Sequence, residues 1–169
     1  MSTAYHLVYA DGFAKYVQLA ESKDLLKTLK KNRKRFLSLM ASIPPAKINH
    51  AYAEGKWTVK QLLQHIIDAE RVFAYRALRI ARFDSTPLAG FDENAWAEKA
   101  DVTARGWSDM LKEFNELRKA NIRMIGQFSK EQLAAEGTSN GKALSTAAIC
   151  FIMAGHVKHH MNILEERYL

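Results

Sequence analysis

Residues 152–163 of the 169-residue chain read IMAGHVKHHMNI. Apolar residues recur here at helical spacing, and three of the chain's six histidines fall within five consecutive positions. On a helix that turns about 100° per residue, His156 and His160 lie about 40° apart and one turn apart along the axis, so both imidazoles can bind one ion. His159 lies about 100° from His160 on the same helix, so we expect it at the rim of such a site.

This histidine-containing helix is one of four long amphipathic segments. Apolar residues repeat every three or four positions over about residues 21–40, 59–83, 107–129 and 145–167, which predicts four helices. Because no alternating strand pattern is present, we predict an all-α fold, namely a four-helix bundle of the up-down type with long connections and short extra helices. A single domain over residues 1–169 fits this length.

Three other segments are predicted to pack around the bundle. Residues 1–20 carry three tyrosines and one phenylalanine, and we expect an arm whose aromatic rings pack against the body. Residues 84–96 break the helical periodicity over a length that is unusual in a bundle, so this loop is expected to shape a pocket and to lead into a short helix over residues 95–100. Residues 129–132 form a capping box before a short helix, and a turn is expected at residues 138–142.

The charge distribution allows two interpretations. The net charge is +7, and the segment from Lys23 to Arg35 holds seven basic side chains and one acidic one. Such a segment can contact nucleic acid or a membrane, or it can be the solvated face of a helix. Since no aromatic residue lies in this segment to stack on a base, we prefer the solvated face and expect neither nucleic acid nor a membrane as a partner.

The single cysteine and the N-terminus bear on the compartment. Cys150 has no second cysteine with which to form an internal disulfide, and the first residues lack a basic region followed by an apolar run. No segment is long and apolar enough to cross a bilayer. These features predict a cytoplasmic protein in which Cys150 is a buried packing residue rather than a nucleophile.

A further histidine far upstream completes a candidate metal site. His65 shares the side of its predicted helix with Leu62 and Ala69, so it is expected to face inward or into a cleft. Buried imidazoles that converge are costly unless a cation binds their nitrogens. We therefore predict that His65, His156 and His160 bind a divalent metal ion, and that the absence of a carboxylate ligand leaves a position open for water or substrate.

Two alternatives to this metal site fit the sequence less well. Cationic histidines also suit the C-terminal end of a helix, but His156 lies more than two turns before the predicted end. A zinc protease of the HExxH type would place a glutamate directly after the first histidine, where this chain has Val157. Imidazole ligands by themselves suit zinc, nickel, copper or iron, so the sequence does not choose among these metals.

Charged residues near His65 suggest further roles. Asp68 follows it by three positions and is a candidate catalytic residue, either as a base or by orienting a ligand imidazole. Glu70 points away from that face and is expected to be solvated. Four arginines on the same predicted helix can hold an anionic substrate, although ordinary exposed ion pairs are the expected role for most of them: Arg71, Arg76, Arg79 and Arg82.

Four stretches together resemble the DinB-like superfamily of metalloenzymes: WTVKQLLQH at 57–65, DAERVFAYRALRIAR at 68–82, TPLAGFDE at 86–93 and GHVKHHMNILEERYL at 155–169. The resemblance implies a four-helix bundle, often dimeric. It also implies a divalent metal, usually zinc or nickel, held by one histidine of the second helix and two of the last, which match His65, His156 and His160. Val157 departs from the glutamate expected in many close relatives.

The resemblance also bears on function. Some members of the superfamily are thiol transferases that use bacillithiol, mycothiol or glutathione, and others are metal-dependent hydrolases. We therefore expect an enzyme that transfers a low-molecular-weight thiol to a small electrophilic substrate, and a homodimer. The alternatives are a metal-dependent hydrolase and a non-catalytic metal-binding module of the stress response.

Overall fold

The computed structural model describes residues 5–169, most of which lie in helices. A short 3₁₀ turn, Asp11–Phe13, precedes the first α-helix. The remaining elements, in chain order, are α1 (Ala14–Ala20), α2 (Leu25–Ala41), α3 (Pro45–Ile48), α4 (Val59–Ala81), α5 (Glu93–Lys99), α6 (Trp107–Ile125), α7 (Lys130–Ala134), β1 (Glu136–Ser139), β2 (Lys142–Ser145) and α8 (Thr146–Arg167).

The four long helices form the predicted four-helix bundle. Helix α2 packs against α6 and α8, and helix α4 packs against the same two helices. Helices α2 and α4 therefore lie on one diagonal of the bundle and α6 and α8 on the other, so two of the three long connections cross from one corner to the opposite corner. Within residues 5–169, no helix is both long and apolar enough to cross a membrane.

Capping interactions determine where the long helices begin and end. Asp24 accepts a hydrogen bond from the Lys27 amide at 2.8 Å, so α2 begins after it and not at residue 21. The capping box predicted for Thr58 and Gln61 is present, with hydrogen bonds of 2.9 and 3.1 Å. Helix α6 ends four residues earlier than predicted, at Ile125, because the chain tightens after Gly126: the Gln127 and Phe128 amides bond carbonyls three residues back instead of four.

A β-hairpin between α7 and α8 was not predicted. Strands β1 and β2 pair antiparallel around the turn expected at residues 138–142. Asn140 and Gly141 have φ of 50° and 69°, the left-handed values that a tight hairpin turn requires. The strands escaped prediction because their sequences, EGTS and KALS, lack the β-branched alternation that marks a strand.

The hairpin contacts the 84–96 loop, and the N-terminal arm packs against the core of the bundle. Leu88 of the 84–96 loop donates to the Thr138 carbonyl at 2.9 Å and accepts from the Asn140 amide at 2.8 Å, so the hairpin holds this loop in place. The aromatic side chains of the arm pack against the core, as predicted, and part of the arm forms α1. Residues 1–4 of the predicted arm lie outside the described residues.

A buried polar layer joins all four long helices, and it corrects the expectation that Glu70 is solvated. Glu70 on α4 is 2% exposed, and both of its carboxylate oxygens accept hydrogen bonds of 2.7 Å from Arg118 on α6, which is fully buried. Arg118 also donates to Asn32 on α2 at 2.8 Å and to the Met153 carbonyl on α8 at 3.2 Å. Glu70 is buried because α6 covers the side of α4 that faces away from the histidines.

Gly155 is the point of closest approach between α1 and α8. A β-carbon added at Gly155 would overlap the Tyr16 carbonyl group and lie 2.8 Å from Tyr16 Cα. Alanine normally stabilises a helix interior by about 1 kcal/mol relative to glycine. Here we expect Gly155→Ala to destabilise the protein by about 1–3 kcal/mol instead, because α1 must move away from α8.

Urea denaturation of the Gly155→Ala protein measures this effect. Gly12→Ala is the matched control, since a β-carbon at Gly12 would meet no atom within 4 Å. It is expected to leave the free energy of unfolding within about 0.5 kcal/mol of the wild-type value. A Gly155→Ala protein as stable as wild type would show that α1 does not pack so closely against α8.

Candidate metal centre

Two helices bring three imidazoles to one point. His65 lies in the second turn of α4, just after the Thr58 capping box, and His156 and His160 lie one turn apart on α8. The Nε2 atom of His156 is 3.0 Å from Nε2 of His65 and 3.1 Å from Nε2 of His160. One ring nitrogen from each of the three residues lies within 4.8 Å of the other two, so the structure brings together the three residues predicted as ligands.

The spacing of these nitrogens fits a shared cation better than hydrogen bonds. A ring nitrogen of a neutral imidazole carries either one proton or one lone pair, so His156 Nε2 cannot donate to one neighbour and accept from the other. Two nitrogen ligands about 2.0–2.1 Å from a zinc ion are about 3.3 Å apart at the tetrahedral angle. The observed separations of 3.0 and 3.1 Å are close to that value.

Burial keeps the three imidazoles neutral. It lowers the pKa of His65 to about 4, an effect that the negative charge of Glu93 partly opposes. Burial, followed by the neighbouring histidines, holds the pKa values of His156 and His160 well below the ordinary value of 6.5. Their ring nitrogens therefore have free lone pairs at neutral pH, which is the form that binds a metal.

The three histidines line a cavity of about 360 Å³. Its walls come from α1, α4, α8, the hairpin and the 84–96 loop, which was expected to shape the pocket. Its lining is Gly12, Phe13, Tyr16, Trp57, His65, Ala69, Phe73, Arg76, Gly90, Phe91, Glu93, Ser139, Asn140, Lys142, His156 and His160. The volume lies within the usual range for small-molecule sites. Half of the lining residues are aromatic, apolar or glycine, and the other half are polar or charged.

The other candidate residues lie apart from the three nitrogens. The ring of His159 packs against Tyr16, with 5.4 Å between ring centroids, and His159 does not belong to the group of three. Asp68 accepts a hydrogen bond from Gln64 at 2.9 Å and lines a neighbouring cavity with Arg71. Cys150 is fully buried, and burial raises the pKa of its thiol to about 12, which makes it unreactive near neutral pH.

Several residues that line the cavity were not singled out from the sequence. Glu93 is the carboxylate of the lining, and its place at the start of the short helix α5 gave no sign of a role. Ser139 and Asn140 reach the cavity through the unpredicted hairpin. A β-carbon at Gly90 would lie 2.5 Å from Asn140 Oδ1, so glycine at this position lets the loop and the hairpin touch.

The depressed histidine pKa values predict how the stability of the metal-free protein depends on pH. Unfolded histidines bind protons near pH 6.5, but the folded protein keeps these three neutral at that pH. Stability is therefore full above about pH 7 and falls as the pH drops toward 5, by up to about 1.4 kcal/mol per pH unit for each histidine. His65 stops contributing to this slope near pH 4, its folded pKa.

Urea denaturation in the presence of a chelator at pH 7, 6 and 5 tests this dependence. Carboxylates titrate mainly below this range, so the histidines dominate the change. The His65→Gln protein should show a shallower loss between pH 7 and 5 than the wild type. Equal slopes for the two proteins would contradict the assignment of His65 as a buried, neutral imidazole.

Comparison with known proteins agrees with the fold and with metal dependence. A curated protein of Oceanobacillus iheyensis named "putative metal-dependent hydrolase" is 25% identical over 148 residues, which cover 86% of this chain and 84% of that protein. The solved structure of YfiT from Bacillus subtilis, described as "a probable metal-dependent hydrolase with an unusual four-helix bundle topology", matches with a TM-score of 0.70 and 18% identity, covering 93% of this chain and 86% of YfiT.

A second solved structure, a mycothiol-dependent maleylpyruvate isomerase, matches with a TM-score of 0.63 and 14% identity, covering 82% of this chain and 58% of the isomerase. At these identities the two solved structures show a shared fold. The profile of the DinB superfamily matches residues 28–164, a range that includes all three converging histidines. The chain belongs to the DinB superfamily.

Proposed function

We propose that this protein is a metal-dependent enzyme that transfers a low-molecular-weight thiol to a small electrophile. The observation that carries the proposal is the convergence of three neutral imidazoles at the wall of a cavity of about 360 Å³. His65, His156 and His160 would hold a divalent ion, zinc or nickel in this proposal. Such an ion would supply the Lewis acidity that lowers the pKa of a thiol or of water.

Other residues of the cavity bind and orient the reactants. Tyr16, Trp57 and Phe73 offer aromatic surface that excludes water from the histidines, and the ring centroids of Trp57 and His65 are 4.8 Å apart. Cys150 cannot serve as the sulfur nucleophile because its thiol is fully buried and stays protonated. The thiol that reacts must therefore come from a second small molecule. The mycothiol-dependent enzyme among the structural neighbours supports this choice.

Hydrolysis is the second candidate, and Glu93 favours it. A hydrolase of this kind needs a base near the attacking water, and Glu93 lines the cavity close enough to His65 to affect its pKa. Two similar proteins carry names of metal-dependent hydrolases. Asp68 stays a candidate base from the sequence, although its hydrogen bond with Gln64 and its position in a neighbouring cavity favour Glu93 for this role.

The experiment compares the two reactions on the same preparation. Protein purified without a histidine tag is stripped with a chelator and reloaded with zinc or nickel. Consumption of an aryl halide by a panel of thiols is then measured beside hydrolysis of aryl esters. If the protein transfers thiols, at least one thiol should react at a rate that depends on the metal. His160→Ala should abolish this rate. A metal-dependent rate with esters alone would favour the hydrolase.

A non-catalytic metal-binding module is the remaining alternative. It predicts that wild-type protein binds the metal but consumes neither the halide nor any ester faster than free metal does.

Glu93→Gln separates the two enzymatic candidates further: it should slow ester hydrolysis by about 10²-fold or more if Glu93 is the base, and change thiol transfer much less. The homodimer and the cytoplasmic location stay predictions.

A further inference from the structure

Arg76 is a buried cation with no acidic partner among the residues that the structure describes. It lies on α4, is 6% exposed, and lines the histidine cavity. Among residues 5–169, no carboxylate lies within 4.0 Å of its guanidinium. A buried charge is costly unless an opposite charge or hydrogen bonds compensate for it, so an ordinary structural arginine in this position would be paired.

The other arginines of α4 show what pairing looks like here. Arg71 lies against Glu113 and Asp68, and Arg79 lies against Asp84. Arg76 instead donates one hydrogen bond of 2.8 Å to the Ala89 carbonyl, and its guanidinium is 5.7 Å from the centre of the Phe91 ring. These contacts fix the orientation of the side chain but supply no negative charge, and a guanidinium has five N–H donors.

A second, independent observation comes from the hairpin that lines the same cavity. Ser139 is 2% exposed and lines the same cavity, and its buried hydroxyl oxygen has no hydrogen-bond partner in the described part of the chain. Most buried hydroxyl groups in proteins are hydrogen-bonded. A ligand with hydrogen-bonding oxygens would satisfy both this hydroxyl and the guanidinium of Arg76.

From these observations we propose that Arg76 and Ser139 form a subsite for the carboxylate of a small molecule that occupies the cavity. A single guanidinium matches a single negative charge and can bind a carboxylate through two parallel hydrogen bonds. Glu93 and Lys142, the other residues of the described lining that carry a full charge, are exposed, so solvent screens them. A doubly charged phosphate is less favoured, because a single guanidinium would leave one of its two charges uncompensated.

The position of Arg76 also constrains the ligand. Arg76 follows His65 by eleven residues, so the two share one face of α4 within about 20° and lie about 16 Å apart along the helix axis. The carboxylate subsite is therefore at one end of the cavity and the histidines at the other. One consequence rests on the proposed function: either the thiol or the electrophile carries a carboxylate several bonds away from its reacting atom.

Binding of benzoate and benzamide to the metal-free protein tests the subsite directly. The two probes have nearly the same shape and differ in charge, and the aromatic lining suits both. Ligand-observed NMR titration gives their dissociation constants. The wild-type protein should bind benzoate about tenfold or more tightly than benzamide, and Arg76→Met should remove this preference, since hydrogen bonds to a charged group carry most of it. Ser139→Ala should weaken benzoate binding about threefold.

Three further proteins are the controls. Arg71→Met removes an arginine of the neighbouring cavity and leaves Glu113 paired with Arg105, so benzoate binding should change less than twofold. Arg76→Lys keeps the charge but loses the paired donors, and should bind benzoate with intermediate affinity. Glu93→Gln should bind benzoate at least as tightly as wild type; a loss of benzoate binding in this variant would show that the probe binds through Glu93 and would overturn the subsite at Arg76.

The outcomes separate this proposal from the proposed function. Equal affinity of wild-type protein for benzoate and benzamide would overturn the subsite, whatever the metal content. A folded Arg76→Met protein that still prefers benzoate would do the same. If Arg76→Met fails to fold, the preference of the wild-type protein for benzoate over benzamide and the benzoate titration of Arg76→Lys still test the subsite. Normal benzoate binding by a protein that takes up no metal would support the subsite and refute the metal-dependent enzyme.

Discussion

Protein purified without a histidine tag and carrying His156→Ala or His160→Ala is expected to retain less than about a tenth of the wild-type divalent metal content. Each substitution removes one of the three nitrogens that lie within 4.8 Å of one another. Loss of a residue behind a metal ligand typically weakens binding by about 10–100-fold, and loss of the ligand itself should cost more. His65→Ala should have the same effect although it lies on a different helix. Metal analysis by mass spectrometry of the purified proteins measures the content.

His159→Ala is the matched control for these variants. His159 is adjacent to His160 in sequence, and burial lowers its pKa as well, but its ring packs against Tyr16 outside the group of three. This variant should keep the wild-type metal content. A similar loss from His159→Ala and His160→Ala would contradict the assignment of ligands, and unchanged metal content in all four variants would refute the metal centre.

A metal bound at this point also joins two helices, and this gives the prediction a second readout. Because the ligands come from α4 and α8, an ion that binds only the folded protein stabilises it by about 2.7 kcal/mol at a free concentration 100 times its dissociation constant. A chelator should therefore lower the melting temperature of the wild-type protein. It should leave that of His160→Ala nearly unchanged, since this variant starts without the metal.

Local patterns in the sequence were enough to predict which three histidines converge. The spacing of His156 and His160 follows from helical geometry alone, and the capping box at Thr58 fixes where α4 begins and hence where His65 lies. What local patterns do not contain is which distant side chain pairs with a buried charge. Glu70 is the instructive failure: Leu63, Ile67 and Ala77 on its own side of α4 are apolar and already favour its burial, whereas its partner Arg118 on α6 is 48 residues away in the sequence.

The carboxylate subsite could not be predicted for a related reason. Arg76 falls on the same face of α4 as His65, which the sequence does show, but the sequence does not show which arginines find acidic partners. Arg79 is paired because the chain turns back after α4 and places Asp84 beside it. Within residues 5–169, Arg76 instead donates to the Ala89 carbonyl and lies near the Phe91 ring of the same loop. Ser139 enters the cavity through a hairpin whose strands have no recognisable pattern.

Replacing Arg118 by leucine is expected to have the largest effect on stability, a loss of about 3–5 kcal/mol. Arg118 supplies both hydrogen bonds of 2.7 Å to the Glu70 carboxylate, and without it that buried charge keeps one bond, from Asn121 at 2.8 Å. A domain of this size is stable by about 5–15 kcal/mol in total, so we expect the variant to unfold at a much lower urea concentration than the wild type. Glu70→Met should cost a similar amount, because it leaves the guanidinium unpaired.

The double variant Glu70→Met with Arg118→Leu distinguishes an unpaired charge from a loss of packing. With both charges removed, most of the lost stability should return, since apolar residues of similar volume replace a buried ion pair at little cost. The coupling energy of the double-mutant cycle should then reach about 3 kcal/mol. Lys112→Ala, which breaks the exposed pair with Asp109, should cost less than about 1 kcal/mol. Additive losses in the cycle would show that packing around these side chains, and not their charges, sets the cost.

The same double variant tests whether the polar layer positions the metal centre. Arg118 and Asn32 donate to the carbonyls of Met153 and Ala154, directly before the turn of α8 that carries His156. If these bonds fix the position of α8, a stable double variant should still bind metal more weakly than wild type, because His156 and His160 are held less firmly against His65. Unchanged metal affinity in a stable double variant would mean that close packing of α1 and α4 against α8 is sufficient to hold the three imidazoles together.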